Sequence, residues 1–140
     1  MSFWRCYYHI VWATKDRQPL LSPEIERVVI QAATEKSHSL KCSIHAMNGV
    51  ADHMHVAVCI PPYIAVADWV RNIKGMSAHT VNEVFPDRDI RFQWQRGYGV
   101  LTFGAKLLPV VSDYIARQKE HHQQNTIEAY LERTDEDAAG

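Results

Sequence analysis

His53 and His55 stand one residue apart in the run Ala51-Asp52-His53-Met54-His55-Val56-Ala57-Val58-Cys59-Ile60. Apolar, β-branched residues follow, so the run is predicted to be a strand whose alternation sends both imidazoles to one face and Met54 to the other. Two imidazoles on one face of a rigid strand can grip a divalent cation. Further along, Tyr114 and Gln118 lie four apart in a segment, residues 109–120, that has helical character with Pro109 in its first turn. Four-residue spacing stacks them on one helical face. A phenol is a candidate nucleophile, and an amide oxygen is a candidate third ligand beside His53 and His55. Three protein ligands leave positions open for a phosphate oxygen and water, which is the pattern of a catalytic site. Imidazoles suit transition metals better than magnesium, so Mn²⁺ is expected to bind more tightly, with Mg²⁺ the cellular ion.

Other side chains carry two readings each. Asp52 either orients an imidazole as an acceptor or closes a turn. Arg71, Lys74, Arg96, Arg117 and Lys119 are either phosphate contacts or solvated charges. Trp94, Tyr98 and Phe103 either stack on unpaired bases or pack in the core. His121 and His122, two turns past the tyrosine, are expected to be surface histidines, and no general base for the phenol is evident.

These residues need a scaffold, and the periodicities supply one. Residues 3–14 are aromatic and β-branched, hence a strand. Ser22 caps a helix opened by Pro23, with Ile25, Val28, Val29, Ala32 and Ala33 on its buried face up to about Ser37. Residues 40–47 suggest a second strand with Leu40, Cys42, Ile44 and Ala46 inward, and Asn48-Gly49 a turn before the histidine strand. Pro61-Pro62 ends that strand. A second helix over residues 65–84 shows Val66, Trp69, Val70, Ile73 and Met76 as its apolar stripe. Residues 92–103 hold a last strand pattern before the tyrosine helix. This order predicts an α+β, ferredoxin-like (RRM-like) sandwich: an antiparallel sheet with helices on one face, plus a C-terminal helix carrying the tyrosine.

The ordered set Asp52-His53-Met54-His55, Trp94-Gln95-Arg96-Gly97-Tyr98 and Tyr114-x-x-x-Gln118 resembles the single-tyrosine HUH transposases of the insertion-sequence 200/605 type. The opening Tyr8-His9-Ile10-Val11-Trp12-Ala13-Thr14-Lys15-Asp16-Arg17 and the later Val70-Arg71-Asn72-Ile73-Lys74-Gly75 are similar to that family as well, so the resemblance spans residues 3–123. It implies a DNA transposase that cleaves and rejoins single strands at hairpin-marked ends, with Tyr114 forming a 5′-phosphotyrosine. His53, His55 and Gln118 would then hold Mg²⁺ or Mn²⁺, and Arg71, Lys74, Arg96, Tyr98, Arg117 and Lys119 are the candidate DNA contacts. It also implies a homodimer whose active sites join the histidines of one subunit to the tyrosine helix of the other.

Composition allows this. Residues 1–127 form one expected domain, followed by an acidic, frayed tail over 128–140. The net charge of −1 is low for a DNA enzyme, but removing the tail leaves 14 basic and 11 acidic residues, a mildly basic body. Cys6, Cys42 and Cys59 are odd in number and widely spaced, which argues against a disulfide framework and for a reducing cytoplasm, with nucleoid association when DNA is bound. No membrane span or signal peptide is expected. A metal-dependent hydrolase would use water in place of Tyr114 and leave no covalent adduct, and two further rivals stand beside this reading. One is a domesticated hairpin-processing nickase with the same chemistry. The other is a non-catalytic RNA- or single-strand-binding module, because residues 96–103 depart from the RNA-recognition signature only at Val100. That module carries the signature on its third strand, whereas here it falls on the last.

Overall fold

The computed structural model describes residues 2–124 and Thr134. The expected domain boundary at 127 and the acidic tail lie outside the described residues. Four strands, β1 (Tyr7–Ala13), β2 (Ser43–Val50), β3 (His53–Cys59) and β4 (Gly99–Phe103), form one antiparallel sheet in the order β2-β3-β1-β4. Helices α1 (Pro23–Ser39) and α2 (Val66–Val84) complete the expected ferredoxin-like sandwich. Of residues 96–103, Gly99–Phe103 form the fourth strand, at the sheet edge beside β1. That is the position that argues against the RNA-recognition module.

Register decides which face carries chemistry. Ile10 pairs with Val56 and Trp12 with Met54, and these side chains enter the core under α1 and α2. Val11 pairs with His55 and Ala13 with His53, which places both histidines on the opposite face. A one-residue slip would turn the imidazoles into the core. Burial of side chains such as Ile10, Val56 and Val58, worth about 1.5–3 kcal/mol each, opposes that slip.

On the core side, Ser22 Oγ accepts from the Ile25 N–H at 3.3 Å, capping α1 as expected. Trp12 makes edge contacts with Trp69 and Trp94 at 6.3 and 5.9 Å between ring centroids. The Trp69 and Trp94 indole N–H groups donate to Ser37 and Ser77 Oγ, each at 3.0 Å. This explains one departure from the expected α2 stripe. Met76 is 39% exposed, and Ser77 points inward because Trp94 requires an acceptor there.

Strand β2 departs further. It begins at Ser43, so Leu40 and Cys42 precede it, and the register shifts between Ile44 and Ala46. The extra residue reverses the alternation. Ile44 and Met47 therefore face the core, whereas Ala46 and Asn48 turn to the histidine face, with Asn48 opposite His55. Asn48 and Gly49 lie within the strand, and the reversal falls at Ala51 and Asp52. Gly49 is there for close approach: a Cβ would stand 2.7 Å from the His53 carbonyl oxygen and 3.2 Å from the Met54 sulfur. Gly49→Ala is expected to destabilise the fold by about 1–3 kcal/mol through overpacking. Thermal unfolding measures it, and an unchanged Tm would show that the hairpin yields at no cost.

The last strand is shorter than expected. Only Gly99–Phe103 joins the sheet, and Trp94 makes an isolated bridge to Thr14. Between them the chain is held from α2. Asn82 clasps the Phe92 backbone through two hydrogen bonds, and Lys74 Nζ donates to the carbonyls of Gln95 and Gly97 at 2.6 and 3.0 Å. Gly97 takes φ +92°, a conformation open to glycine. The expected tyrosine helix is two helices, α3 (Leu108–Ala116) and α4 (Gln118–Gln124), parted at Arg117. Helix α3 packs on β2 and β3 and α4 on β2, on the face opposite α1 and α2.

Candidate active site

The two histidines open β3, a strand flanked on both sides, and both are buried. Each imidazole is held through Nδ1. His53 Nδ1 lies 2.7 Å from Asp52 Oδ1, and His55 Nδ1 lies 2.9 Å from Nε2 of the buried His9. Where Nδ1–H donates to a carboxylate or to a second imidazole, the lone pair is left on Nε2, the atom that could ligate a metal. Asp52, one of whose two readings is orientation of an imidazole, has its carboxylate against the His53 ring. His9 stands in the same way against the His55 ring and escaped the sequence reading. It pairs with Ala57, not His55, so only strand register reveals the diagonal contact.

Helix α3 brings the phenol in. Tyr114 is 9% exposed, and its ring lies 6.2 Å from His55 and 6.3 Å from His9. Gln118 is fully buried and donates Nε2–H to the Tyr114 carbonyl at 3.3 Å. Its Oε1 has no hydrogen-bond partner among the described residues. A buried amide oxygen left so costs about 1–3 kcal/mol, and a cation would relieve it. The donor set of two imidazoles and one orphaned oxygen therefore fits a divalent metal.

His121 and His122 are not the surface residues expected. The His121 ring stacks on Tyr114 at 4.6 Å between centroids, and the His122 ring lies 4.8 Å from His53. The position of His122 could have been read from spacing, because 114, 118 and 122 advance in steps of four. The break at Arg117 leaves that face intact.

Docking of the tyrosine helix uses residues whose other reading was DNA contact. Asn48 Nδ2 donates to the carbonyl of Ala116 at 3.0 Å, satisfying an end carbonyl of α3. Lys119 Nζ donates to Asn48 Oδ1 at 2.7 Å and to both Glu26 oxygens at 2.9 and 3.1 Å. Arg117 pairs with Glu120 and Asp113, which hold its guanidinium above the ordinary arginine range. Lys74 is engaged by carbonyls, and burial lowers its pKa. Tyr98 packs partly against the core, Arg71 pairs with Asp68, and Arg96 is exposed. Arg96 lines a groove with Lys15, Lys74, His79, Arg91 and Trp94. Gln95 N–H donates to the carbonyl of Ala13, the residue paired with His53, so this basic groove borders the histidine end of the sheet.

The family profile described as "Transposase IS200 like" matches residues 2–118, and the chain belongs to that family of DNA-cleaving and strand-transferring enzymes. It is 33% identical over 121 residues to the transposase for insertion sequence element IS200 of Salmonella typhimurium, covering 84% of this chain and 79% of that one. It is 23% identical over 117 residues to the ISDra2 transposase TnpA of Deinococcus radiodurans, covering 81% and 84%. In fold it is similar to a crystal structure from Deinococcus radiodurans R1 described as a candidate transposase, with TM-score 0.69, 24% identity, and coverage of 84% of this chain and 93% of that one. It is also similar to a REP-associated tyrosine transposase bound to a REP hairpin, with TM-score 0.62, 18% identity, and coverage of 87% and 74%. Among the described residues, no helix is long and apolar enough to cross a membrane.

Proposed function

We propose that this transposase cleaves and rejoins single-stranded DNA at hairpin-marked element ends through a 5′-phosphotyrosine on Tyr114. The observation that carries this is the packing of the Tyr114 ring against His55, on the face where both histidines are buried. A divalent ion, Mg²⁺ or Mn²⁺, held by His53, His55 and Gln118 would supply charge neutralisation at the scissile phosphate. Tyr114 Oη attacks phosphorus in line, the bond to the 3′ oxygen breaks, the phenol proton is lost, and a 3′-hydroxyl is released. A second 3′-hydroxyl attacking the same phosphorus restores a phosphodiester and returns the tyrosine, so strand transfer requires no ATP. Asp52 and His9 orient the imidazoles throughout.

Arg96, Arg71 and the basic groove are the first candidates for backbone contact, with Lys74 shaping the loop over residues 95–97. The named hairpin partner of the REP-associated relative supports a hairpin substrate here. The reaction belongs in the reducing cytoplasm, at the nucleoid when DNA is bound. The proposal is tested by incubating the full chain with 5′- or 3′-labelled hairpin-bearing single strands and divalent metal. A denaturing gel should show a covalent adduct carrying the label 3′ of the cut, and the absence of any adduct would refute the reading.

We further propose a homodimer that exchanges tyrosine helices. In the described chain Tyr114 lies beside its own histidines, and the connection over residues 104–107 is exposed throughout. A connection of this kind permits the helix to reach a partner. Mixing inactive His53→Ala with inactive Tyr114→Phe protein separates the arrangements, provided subunits exchange. Shared sites restore some cleavage, because one site of each mixed dimer keeps both histidines and Tyr114. No recovered cleavage in verified heterodimers would mean that each chain builds its own site.

A further inference from the structure

We infer that His122 is a third imidazole ligand at this site, making with His53 and His55 a three-histidine centre for a borderline-soft divalent ion of the Zn²⁺ or Co²⁺ type. The inference rests on the proposed metal-binding role of His53 and His55. One ring nitrogen from each of the three lies within 4.8 Å of the other two. Tetrahedral Zn²⁺ with nitrogen at about 2.0–2.1 Å separates its ligand atoms by about 3.4 Å, so the three nitrogens draw together by about 1.4 Å at most. The strand histidines are fixed through Asp52 and His9, so the movement falls to His122 on α4, which is half-buried.

The two candidate third donors differ in kind. Gln118 offers an amide oxygen, which suits Mg²⁺, whereas His122 offers an imidazole, which suits Zn²⁺ and Co²⁺. Tyr114, Gln118 and His122 follow one another at four-residue steps; the Tyr114 and His122 rings lie against His55 and His53, and Gln118 is fully buried. The site therefore distinguishes metals by which residue of this face completes the coordination. Ligation through His122 also has a mechanical consequence that ligation through Gln118 has in lesser degree. It ties α4, beyond Tyr114, to the β3 strand whose histidines share the ion, in the same chain or in a partner.

The test uses the full chain freed of metal by chelation. Zn²⁺ and Co²⁺ affinities are measured by competition with a chromophoric chelator, for wild type, His122→Ala, His122→Phe, His121→Ala and His53→Ala. His122→Phe keeps a ring against His53 and removes the donor, and circular dichroism confirms that each variant is folded. Loss of even an indirect metal partner costs about 10–100-fold in affinity, so both His122 variants should weaken Zn²⁺ and Co²⁺ by at least about tenfold. Mg²⁺ and Mn²⁺ affinity should change little, and His121→Ala should bind Zn²⁺ as wild type does. Zn²⁺ should slow amide exchange across α3 and α4 in wild type but not in the His122 variants. Wild-type Zn²⁺ affinity in both His122 variants, with binding lost in His53→Ala, overturns the His122 assignment and leaves the two-histidine site standing. Wild-type affinity in His53→Ala as well overturns both.

Discussion

Tyr114→Phe is expected to abolish the covalent protein–DNA adduct while leaving the fold and DNA binding intact. The substitution removes one oxygen. The ring keeps its packing against His9, His55 and His121, and the α3 backbone keeps its bond to Asn48. Loss of a nucleophile that acts as a unit with its site costs on the order of 10⁴-fold or more in turnover, so no residual adduct should be visible on a denaturing gel. Binding to a hairpin-bearing single strand, followed by fluorescence anisotropy, should change little, because the phosphate contacts proposed above are arginines and lysines elsewhere. An adduct that persists in the variant would move the nucleophile to another tyrosine, with Tyr130, outside the described residues, the next to test.

The parts of this site that were legible in the sequence are those set by local periodicity. Alternation along β3 put His53 and His55 on one face, and four-residue spacing put Tyr114 over Gln118, whether or not the helix breaks at Arg117. Element order was sufficient for the sandwich, because each apolar stripe has one face to bury. What escaped depends on contacts between distant segments. The bulge in β2 that turns Asn48 toward His55 is one extra residue with no composition of its own. Lys74 and Lys119 have the same chemistry as any exposed lysine until a carbonyl or Glu26 is brought to them by tertiary packing. Gly49 beside Asn48 has the signature of a hairpin turn, yet it serves the close approach of two strands. His9 becomes part of the site only through register.

His53→Ala and His55→Ala are expected to lose metal-dependent cleavage, with at most partial rescue at raised Mn²⁺. Each removes one of two imidazoles whose Nδ1 is already held, so the replacement leaves a hole where the ligand was and strands its partner, Asp52 or His9. The remaining imidazole and the Gln118 oxygen make too few donors to hold an ion against water at ordinary concentrations. His9→Ala should act differently. It touches no ligand position in the proposed set, but it removes the group that fixes the His55 ring, and such partners are worth about 10–100-fold in metal affinity. A graded series follows: loss of binding for either strand histidine, and a weakened but saturable site for His9→Ala. Calorimetric titration of Mn²⁺ into folded proteins separates the three, and activity at saturating Mn²⁺ should return for His9→Ala alone. Full cleavage in excess chelator, or by either strand-histidine variant, would make the pair structural and remove the metal from the proposed reaction. The Tyr114 result would then stand by itself, as evidence for a nucleophile activated by protein groups.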